Sequence, residues 1–597
     1  MKLILILPLT LFLVFFSSYL QFVSSEPILY DKNLKIEKVY NGLEFPVSMS
    51  FLKEDDILVL EKNDGIVNRI INGQMLDDPV LQLDVDNSQE RGLLGSVAFT
   101  NSSGITSVYL YFTELNIEDS TDESDSAEKD ILGNRILKYD FINGKLVNPK
   151  LLFELPYDSE PPFHVGGKMV IGSDSYLYVS IGDLLASGSL TQNIGNGTGV
   201  NGSGGILRFS LDDKPTKTIF ENSTLHNYFA YGIRNSFGLD FDPLTGYLWD
   251  TENGPGYGDE INLVQPGFNS GWKKVQGLWE PLGEEAGDLF TNLTELVTFD
   301  QSNRYDYPKM TFLDTIGITA IKFMNSHNMG ENYYGDMFVG DFNDGNIYRF
   351  KLNENRSIIE SDSNMINHVE IMGKRYPVIY QDPFTTCFNY YRCILDESVN
   401  VTSNDLDRSL TISTPINIEN LWSWIYGLEY GVIPGNKYII ETSMSQNKYS
   451  TDSHIVFQGF NETSKSWVPL LQCPDAKTGK LDTTKFKCDL IIPNNISKIQ
   501  PAINAGWSSK ENKEATSKYD EIKIFDNDSG KYIDLMPNYS DTSSPVFGRG
   551  FGHITDIQVG PDGAIYVLSI NPDQIIDFDH SKENQGKYGV IYKITKK

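Results

Sequence analysis

The sequence predicts an all-β fold, and three observations predict it. A small-residue turn, an apolar strand, a second turn and a second strand rich in β-branched and aromatic residues recur six times along the chain. Gly, Asp and Asn bound these units and supply the conformations that tight turns need. Aromatic residues make up 12% of the chain and 50 residues are glycine, a balance that suits strands and turns. Six such units read as the blades of a propeller, while their irregular spacing leaves a pair of β-sandwiches as the competing arrangement.

The elements follow in order. Lys2, the apolar run Leu3–Phe16 and Val23-Ser24-Ser25 before Glu26 make residues 1–25 a signal peptide. Read on to Val23, the same stretch is nearly membrane-spanning, so an uncleaved anchor is the alternative; either way the body is extracellular or at the cell surface. The second strands of the units are ILVL at 57–60, VYLYF at 108–112, YLYVSIG at 176–182, YLWD at 247–250, MFVGD at 337–341 and IYVLS at 565–569. Third strands follow, among them RILKYDF, GILRFSL and NIYRFKL. The last unit is one strand short, and Leu34–Tyr40 is expected to complete it and remove an exposed edge. The acidic run NIEDSTDESDSAEKD at 116–130 is expected to be a solvated loop.

Between the fifth and sixth units lies a stretch far too long for a loop. The expected division is therefore 26–371 for the N-terminal strand and five blades, 372–545 for an inserted β-sandwich, and 546–597 for the last blade. The insertion holds all four cysteines, Cys387, Cys393, Cys473 and Cys488. Three pairings are formally possible; sequential pairing, Cys387–Cys393 and Cys473–Cys488, is the expectation in an exported chain. Trp422, Trp424, Trp467 and Trp507 could stack on glycans, although core packing is the commoner use of indoles. Eleven N-x-[S/T] sequons, Asn101 to Asn538, point to a glycosylated surface. A net charge of −31 argues against a nucleic-acid partner.

The chemistry concentrates in two segments. HVGGKMVIGSDSYLYVSIGD carries His164 and, nineteen residues on, Asp183; YGIRNSFGLDFDPLTGYLWDTENGPGYGDEINL carries Arg234, Asn235, Gly254, Pro255 and Glu260. A general base, a cation and a bend with free carbonyls are what metal-assisted hydride abstraction requires. With ERGLLGSVAF at 90–99, GGILRFSL at 204–211, DMFVGDFNDGNIYRFKL at 336–352 and DIQVGPDGAIYVLS at 556–569, these segments resemble the soluble quinoprotein glucose/sorbosone dehydrogenases. The resemblance spans roughly 40–350 and 548–597. It implies a six-bladed propeller that oxidises aldose sugars with pyrroloquinoline quinone (PQQ) and calcium.

On that resemblance His164 is the base on the anomeric hydroxyl, Asp183 orients it, and Arg234 steadies charge on the reduced quinone. Glu90 and Asn235 join Arg234 at the cofactor, and Gly254, Pro255 and Glu260 hold calcium. This chain also departs from the family. Glu90 replaces a glutamine and Ser270 a tyrosine, while Asn343, His553 and Thr555 stand where cations usually meet the cofactor. His553 could partly replace an arginine. The thinned cationic clamp keeps a second reading open, a non-catalytic extracellular propeller that binds glycans or proteins. A calcium-dependent lactonase would need a carboxylate-rich cage at the channel centre, and no clear set is visible. No nucleotide or nicotinamide fingerprint sits between a strand and a helix.

Overall fold

The computed structural model describes residues 26–116, 130–155, 162–185, 188–211, 225–283, 285–299, 304–361, 366–379, 393–394, 400–404, 409–414, 424–426, 430–464, 466–504, 506–510, 513–526, 530–535, 545–570 and 588–597. The expected leader at 1–25, most of the acidic run at 116–130, the Cys387–Cys393 bridge and the indoles of Trp422 and Trp424 lie outside the described residues.

Six sheets, each with an antiparallel core, form a ring. Blade one starts with Pro46–Lys53, Asp56–Glu61 and Ile66–Ile71, and blade two runs Leu93–Thr100, Thr106–Asn116, Asp130–Ile142 and Lys145–Glu154. Blade three is Met169–Ile171, Tyr176–Ile181, Gly205–Ser210 and Tyr228–Tyr231; blade four is Ser236–Phe241, Leu248–Glu252, Tyr257–Val264 and Met310–Asp314. Blade five begins with Ile318–Phe323, Met337–Asp341 and Ile347–Phe350, and blade six with His553–Val559, Ile565–Ile570 and Gly589–Lys596. The first strand of each blade packs against the first strand of the next, and Pro46–Lys53 meets both Leu93–Thr100 and His553–Val559, which closes the circle. The competing pair of sandwiches is thereby excluded for this part of the chain.

The second strands are apolar on both faces because each face meets a different neighbour. Leu58 and Leu60 join a buried cluster with Leu110 and Phe112 of blade two, while Ile57 and Val59 join Tyr566 and Leu568 of blade six. Val108 faces blade one and Tyr109 and Tyr111 face blade three. Such two-sided burial turns the usual alternation of an antiparallel strand into a continuous apolar run. At roughly 1.5–3 kcal/mol per buried large side chain, these interblade clusters hold the ring.

Leu34–Leu43 pairs with Gly589–Lys596, so the chain's N-terminal strand is the outermost strand of blade six. Blade five also closes non-locally. Its fourth strand is Val546–Arg549, from beyond the insertion, followed by Ile28–Leu29 at the edge. The hairpin Ile366–Ile371 and Lys374–Ile379 straddles the expected boundary at 372 and adds to blade four, running parallel to Met310–Asp314. The insertion thus leaves the propeller from a blade-four edge and returns into blade five.

The insertion is a β-sandwich. One sheet is built on Ile496–Asn504, His454–Asn461 and Ser466–Gln472, the other on Ser409–Thr414, Ala515–Asp526, Lys437–Gln446 and Leu481–Ile491. Ile440, Ile455, Phe457, Ile499, Tyr519 and Ile522 fill the space between them. Cys473 and Cys488 form a disulfide with Cα atoms 6.2 Å apart, which ties one sheet to the other.

Candidate active site

The ends of the blades meet at one mouth of the ring. Residues just before or at the start of the innermost strands converge there with residues just after several second strands. They surround a cavity of about 390 Å³. Its apolar walls include Phe45, Val47, Leu94, Phe237 and Phe342; its ionisable lining residues are Lys62, Glu90, His164, Lys168, Arg234 and Asp259.

His164 lies on the wall with the left-handed φ of 59°. Its Nδ1 is 2.7 Å from Asp183 Oδ1. Gly182 permits this approach, since a Cβ there would fall 2.1 Å from the His164 carbonyl oxygen. Asp183 is buried behind the imidazole and accepts three more bonds, from the Leu185 amide, Gln192 Nε2 and Trp272 Nε1. Burial alone would raise its carboxyl, but the bond and charge of His164, the indole and the Leu185 amide hold it below the usual range. An ionised Asp183 keeps the proton on Nδ1 and turns the lone pair of Nε2 away from the carboxylate.

Glu90 fixes the loop from outside. Its Oε2 accepts the amides of His164 at 2.8 Å and Val165 at 3.2 Å, and also Asn235 Nδ2 at 3.1 Å. A carboxylate suits this place because every partner is a donor.

Arg234 enters from the start of blade four. Its Nη1 donates to the Asn253 carbonyl at 2.8 Å and its guanidinium lies 5.4 Å from the Trp272 ring centroid. Burial lowers its pKa, opposed by the charges of Asp183, Glu252, Glu90 and Asp259. Trp272 therefore serves both halves of the site, as donor to Asp183 and as platform for Arg234. Among the described residues, Arg234 Nε, Asn235 Oδ1 and Asn253 Oδ1 are buried with no hydrogen-bond partner.

Gly254 also lines the cavity, at a bend where a Cβ would strike the Tyr257 carbonyl oxygen at 1.8 Å. Asp259 holds that bend: its Oδ1 accepts the Gly254 amide and its Oδ2 the amides of Ile316 and Gly317. Burial pushes the Asp259 carboxyl up to about 6, against those three amides and the charge of Arg234. Among the described residues, no hydrogen bond reaches the carbonyl oxygens of Gly254 or Pro255, which leaves both free to meet a hard cation, but of the two only Gly254 lines the cavity.

Glu260 sits elsewhere. It is buried away from the cavity lining, accepting from Gln276 Nε2, the Gly277 amide and Asn262 Nδ2. Strand register puts Asp250 opposite Asn262 and Glu252 opposite Glu260, which gathers three carboxylates on one face of the ladder. Ser270 takes part by donating to Glu252 at 2.7 Å. Burial and mutual repulsion raise Asp250 and Glu260 well above the carboxylate range, and burial chiefly raises Glu252. Among the described residues, no three His, Cys, Asp or Glu side chains are arranged to hold a metal ion.

Burial lowers the pKa of His553, opposed by the bond that its Nδ1 donates to the Phe342 carbonyl oxygen at 2.6 Å. Asn343 and Thr555 line the cavity as neutral side chains. Sequence reasoning missed Lys62, Asp259, Gln192 and Trp272. A capping-box pattern of Ser189 with Gln192 was a signal for the turn that presents Gln192; Lys62, closing the buried run ILVLE, was a signal for an unusual lysine.

A sequence model of the glucose/sorbosone dehydrogenase family matches residues 43–376, more than half of the chain, and the chain belongs to that family. It is 26% identical over 367 residues to an uncharacterized protein of Synechocystis, covering 59% of this chain and 82% of that protein. An aldose sugar dehydrogenase of Escherichia coli is 22% identical over 330 residues, 54% of this chain and 81% of its own length. Quinoprotein glucose dehydrogenase B of Acinetobacter calcoaceticus is 26% identical over 284 residues, 44% of this chain and 56% of its own.

Proposed function

We propose that this protein is an exported, PQQ- and calcium-dependent dehydrogenase that oxidises the anomeric hydroxyl of aldose sugars to the lactone. The observation that carries the reading is His164 on the cavity wall, locked through Nδ1 to a buried, four-times hydrogen-bonded Asp183, with Arg234 beside it.

The residues present fit both groups. Apolar walls at Phe45, Val47, Phe237 and Phe342 suit a flat aromatic ring system, and Arg234 Nε, Asn235 Oδ1 and Asn253 Oδ1 are buried polar atoms awaiting partners. Arg234 and Asn235 would hold the quinone, and the carbonyls of Gly254 and Pro255 would hold calcium. Glu90 supports the site through the His164 loop, whereas Glu260, buried away from the cavity lining, would not reach calcium held there. A bound quinone supplies the acceptor for the two electrons that leave C1 as hydride.

His164 Nε2 takes the proton of the anomeric hydroxyl as that hydride departs, so the C1–H bond breaks and a C=O bond forms. Asp183 stabilises the resulting imidazolium and prevents the ring from turning. Arg234 presents a fixed positive charge without solvent reorganisation, the arrangement most effective for charge that grows during a reaction.

The inserted sandwich offers the half-buried Trp467, packed edge-on against Phe460 at 5.5 Å with Lys498 over both rings, as a glycan contact. The electron acceptor is a separate partner. The alternative, a binding propeller without catalysis, is favoured by one observation, the neutral side chains at Asn343, His553 and Thr555. Titrating purified protein with PQQ, with and without calcium, and following quinone absorbance and then dye reduction by a panel of aldoses decides between them. Absence of both binding and turnover would remove the enzyme reading.

A further inference from the structure

We propose that Lys62 is the anion grip of this cavity: its ammonium receives a carboxylate of the quinone cofactor, the role that Asn343, His553 and Thr555 leave vacant. The inference rests on the quinone reading of the site.

Three cationic side chains line the cavity, Lys62, Lys168 and Arg234; Lys168 is paired with a carboxylate, and Arg234 is the one already assigned to the quinone. Lys168 Nζ pairs with Asp556, whose second oxygen accepts the Met49 amide at 2.9 Å. Arg234 is bonded to the Asn253 carbonyl and stacked on Trp272. Lys62 differs. Only 4% of the residue is exposed, yet among the described residues its Nζ comes within 4 Å of no carboxylate.

Its partners are Asn63 Oδ1 at 2.9 Å and the Asn87 carbonyl at a marginal 3.5 Å, with the Phe45 ring centroid 5.3 Å away. An ammonium has three N–H donors, so at least one is left for a ligand. A buried charge without a contacting counterion is costly. Burial accordingly pulls the lysine down to about 8, opposed by Glu90 and Asp86 at longer range. Glu90 does not close the gap: its Oε2 accepts the His164 and Val165 amides and Asn235, and it acts on Lys62 only at longer range. An incoming carboxylate would relieve the desolvated charge and bond directly to it.

The position fits the task. Lys62 follows the second strand of blade one, Asp56–Glu61, and its ring neighbour Phe45 immediately precedes that blade's first strand, Pro46–Lys53. Backbone bonds fix it there: its amide donates to the Phe45 carbonyl and its own carbonyl accepts from Leu93 at the start of blade two. Gly92 permits that contact, since a Cβ there would fall 2.6 Å from the Lys62 carbonyl oxygen. The grip is therefore rigid, on the same mouth as His164 and Arg234.

The test compares wild type with Lys62→Met, Lys62→Arg and the remote surface control Lys35→Met. PQQ affinity would be read by absorbance titration in calcium at neutral pH, and thermal unfolding followed without cofactor. The expected result is a roughly ten- to hundredfold loss of PQQ affinity in Lys62→Met, the usual size for a charge-assisted bond. Lys62→Arg should recover most of it, and Lys35→Met should change nothing. Cofactor-free Lys62→Met should melt at or above the wild-type temperature, because a buried charge has been removed. Wild-type affinity in Lys62→Met, or a melting temperature that falls with it, would overturn the proposal, the second by showing a structural role.

If the wild type binds no PQQ, the quinone reading itself fails. Benzene-1,3,5-tricarboxylate then probes the anion site alone: a thermal shift in wild type that Lys62→Met abolishes supports the grip, and no shift overturns it.

Discussion

Four carboxylates of blade four, Asp250, Glu252, Asp259 and Glu260, are buried on two neighbouring strands, and burial raises all four. Their titration should make the chelator-treated propeller less stable as the pH rises. Asp259 sets the scale. Its carboxyl moves from 3.8 to about 6, and at 1.36 kcal/mol per pH unit this amounts to about 3 kcal/mol.

The sign follows from proton counts. Below pH 4 the folded and unfolded states both carry the proton, so the group costs nothing. As the pH rises through about 6 the unfolded chain ionises first, the folded state holds the extra proton, and stability falls. Asp250 and Glu260, raised further, extend the decline above that point. Asp250 is the cleanest perturbation because its carboxyl is fully buried and is raised by that burial and by the charge of Glu252. Asp250→Asn keeps the shape and removes the charge. It should raise the melting temperature at pH 8 and have no effect below pH 4. The assay is thermal unfolding in chelator from pH 4 to 8, followed by the fluorescence of Trp249 and Trp272, which lie in and beside blade four. A flat or rising profile between pH 5 and 8, or an Asp250→Asn protein less stable than wild type at pH 8, would refute the reasoning.

Three further outcomes are expected. His164→Ala should lower aldose turnover by roughly two or more orders of magnitude while PQQ affinity survives, read by dye reduction beside absorbance titration. Glu90→Ala should cost about 2–3 kcal/mol in denaturant unfolding, since it strands the His164 and Val165 amides, and Glu90→Gln should recover part of the loss. Replacing Cys473 and Cys488 by serine should destabilise the sandwich by about 3 kcal/mol, the usual worth of a bridge closing a 15-residue loop, with the propeller's own transition unmoved.

Much of this architecture was legible in the chain. ILVL, VYLYF and IYVLS announced strands, and the packed blades explain their unbroken apolar runs, because a two-sided environment removes the alternation that a half-exposed strand would show. The missing strand of the last unit pointed to Leu34–Tyr40, which pairs as part of Leu34–Leu43 with Gly589–Lys596. His164 and Asp183 could be matched because a glycine-flanked imidazole and a carboxylate ending a strand are local signals, and they do meet, at 2.7 Å.

What the tertiary structure decided lay in non-local closure and in desolvation. Sequence spacing could not reveal that blade five waits for Val546–Arg549, because strand pairing depends on which edges are open and not on distance along the chain. Nor could it separate Glu260, sealed against Gln276 and Gly277, from Asp259, which holds the Gly254 bend from the next position. Adjacent residues of a strand point to opposite faces, and only the packed blades show which face meets the cavity. Lys62 and His553 make the same point about charge. A lysine in the sequence is merely a cation and a histidine merely a candidate one. Burial without a contacting carboxylate leaves Lys62 needing an anion, whereas burial pulls the His553 pKa down against the opposing bond to the Phe342 carbonyl. Ionisation is set by the surroundings that folding assembles, and those surroundings come from all six blades.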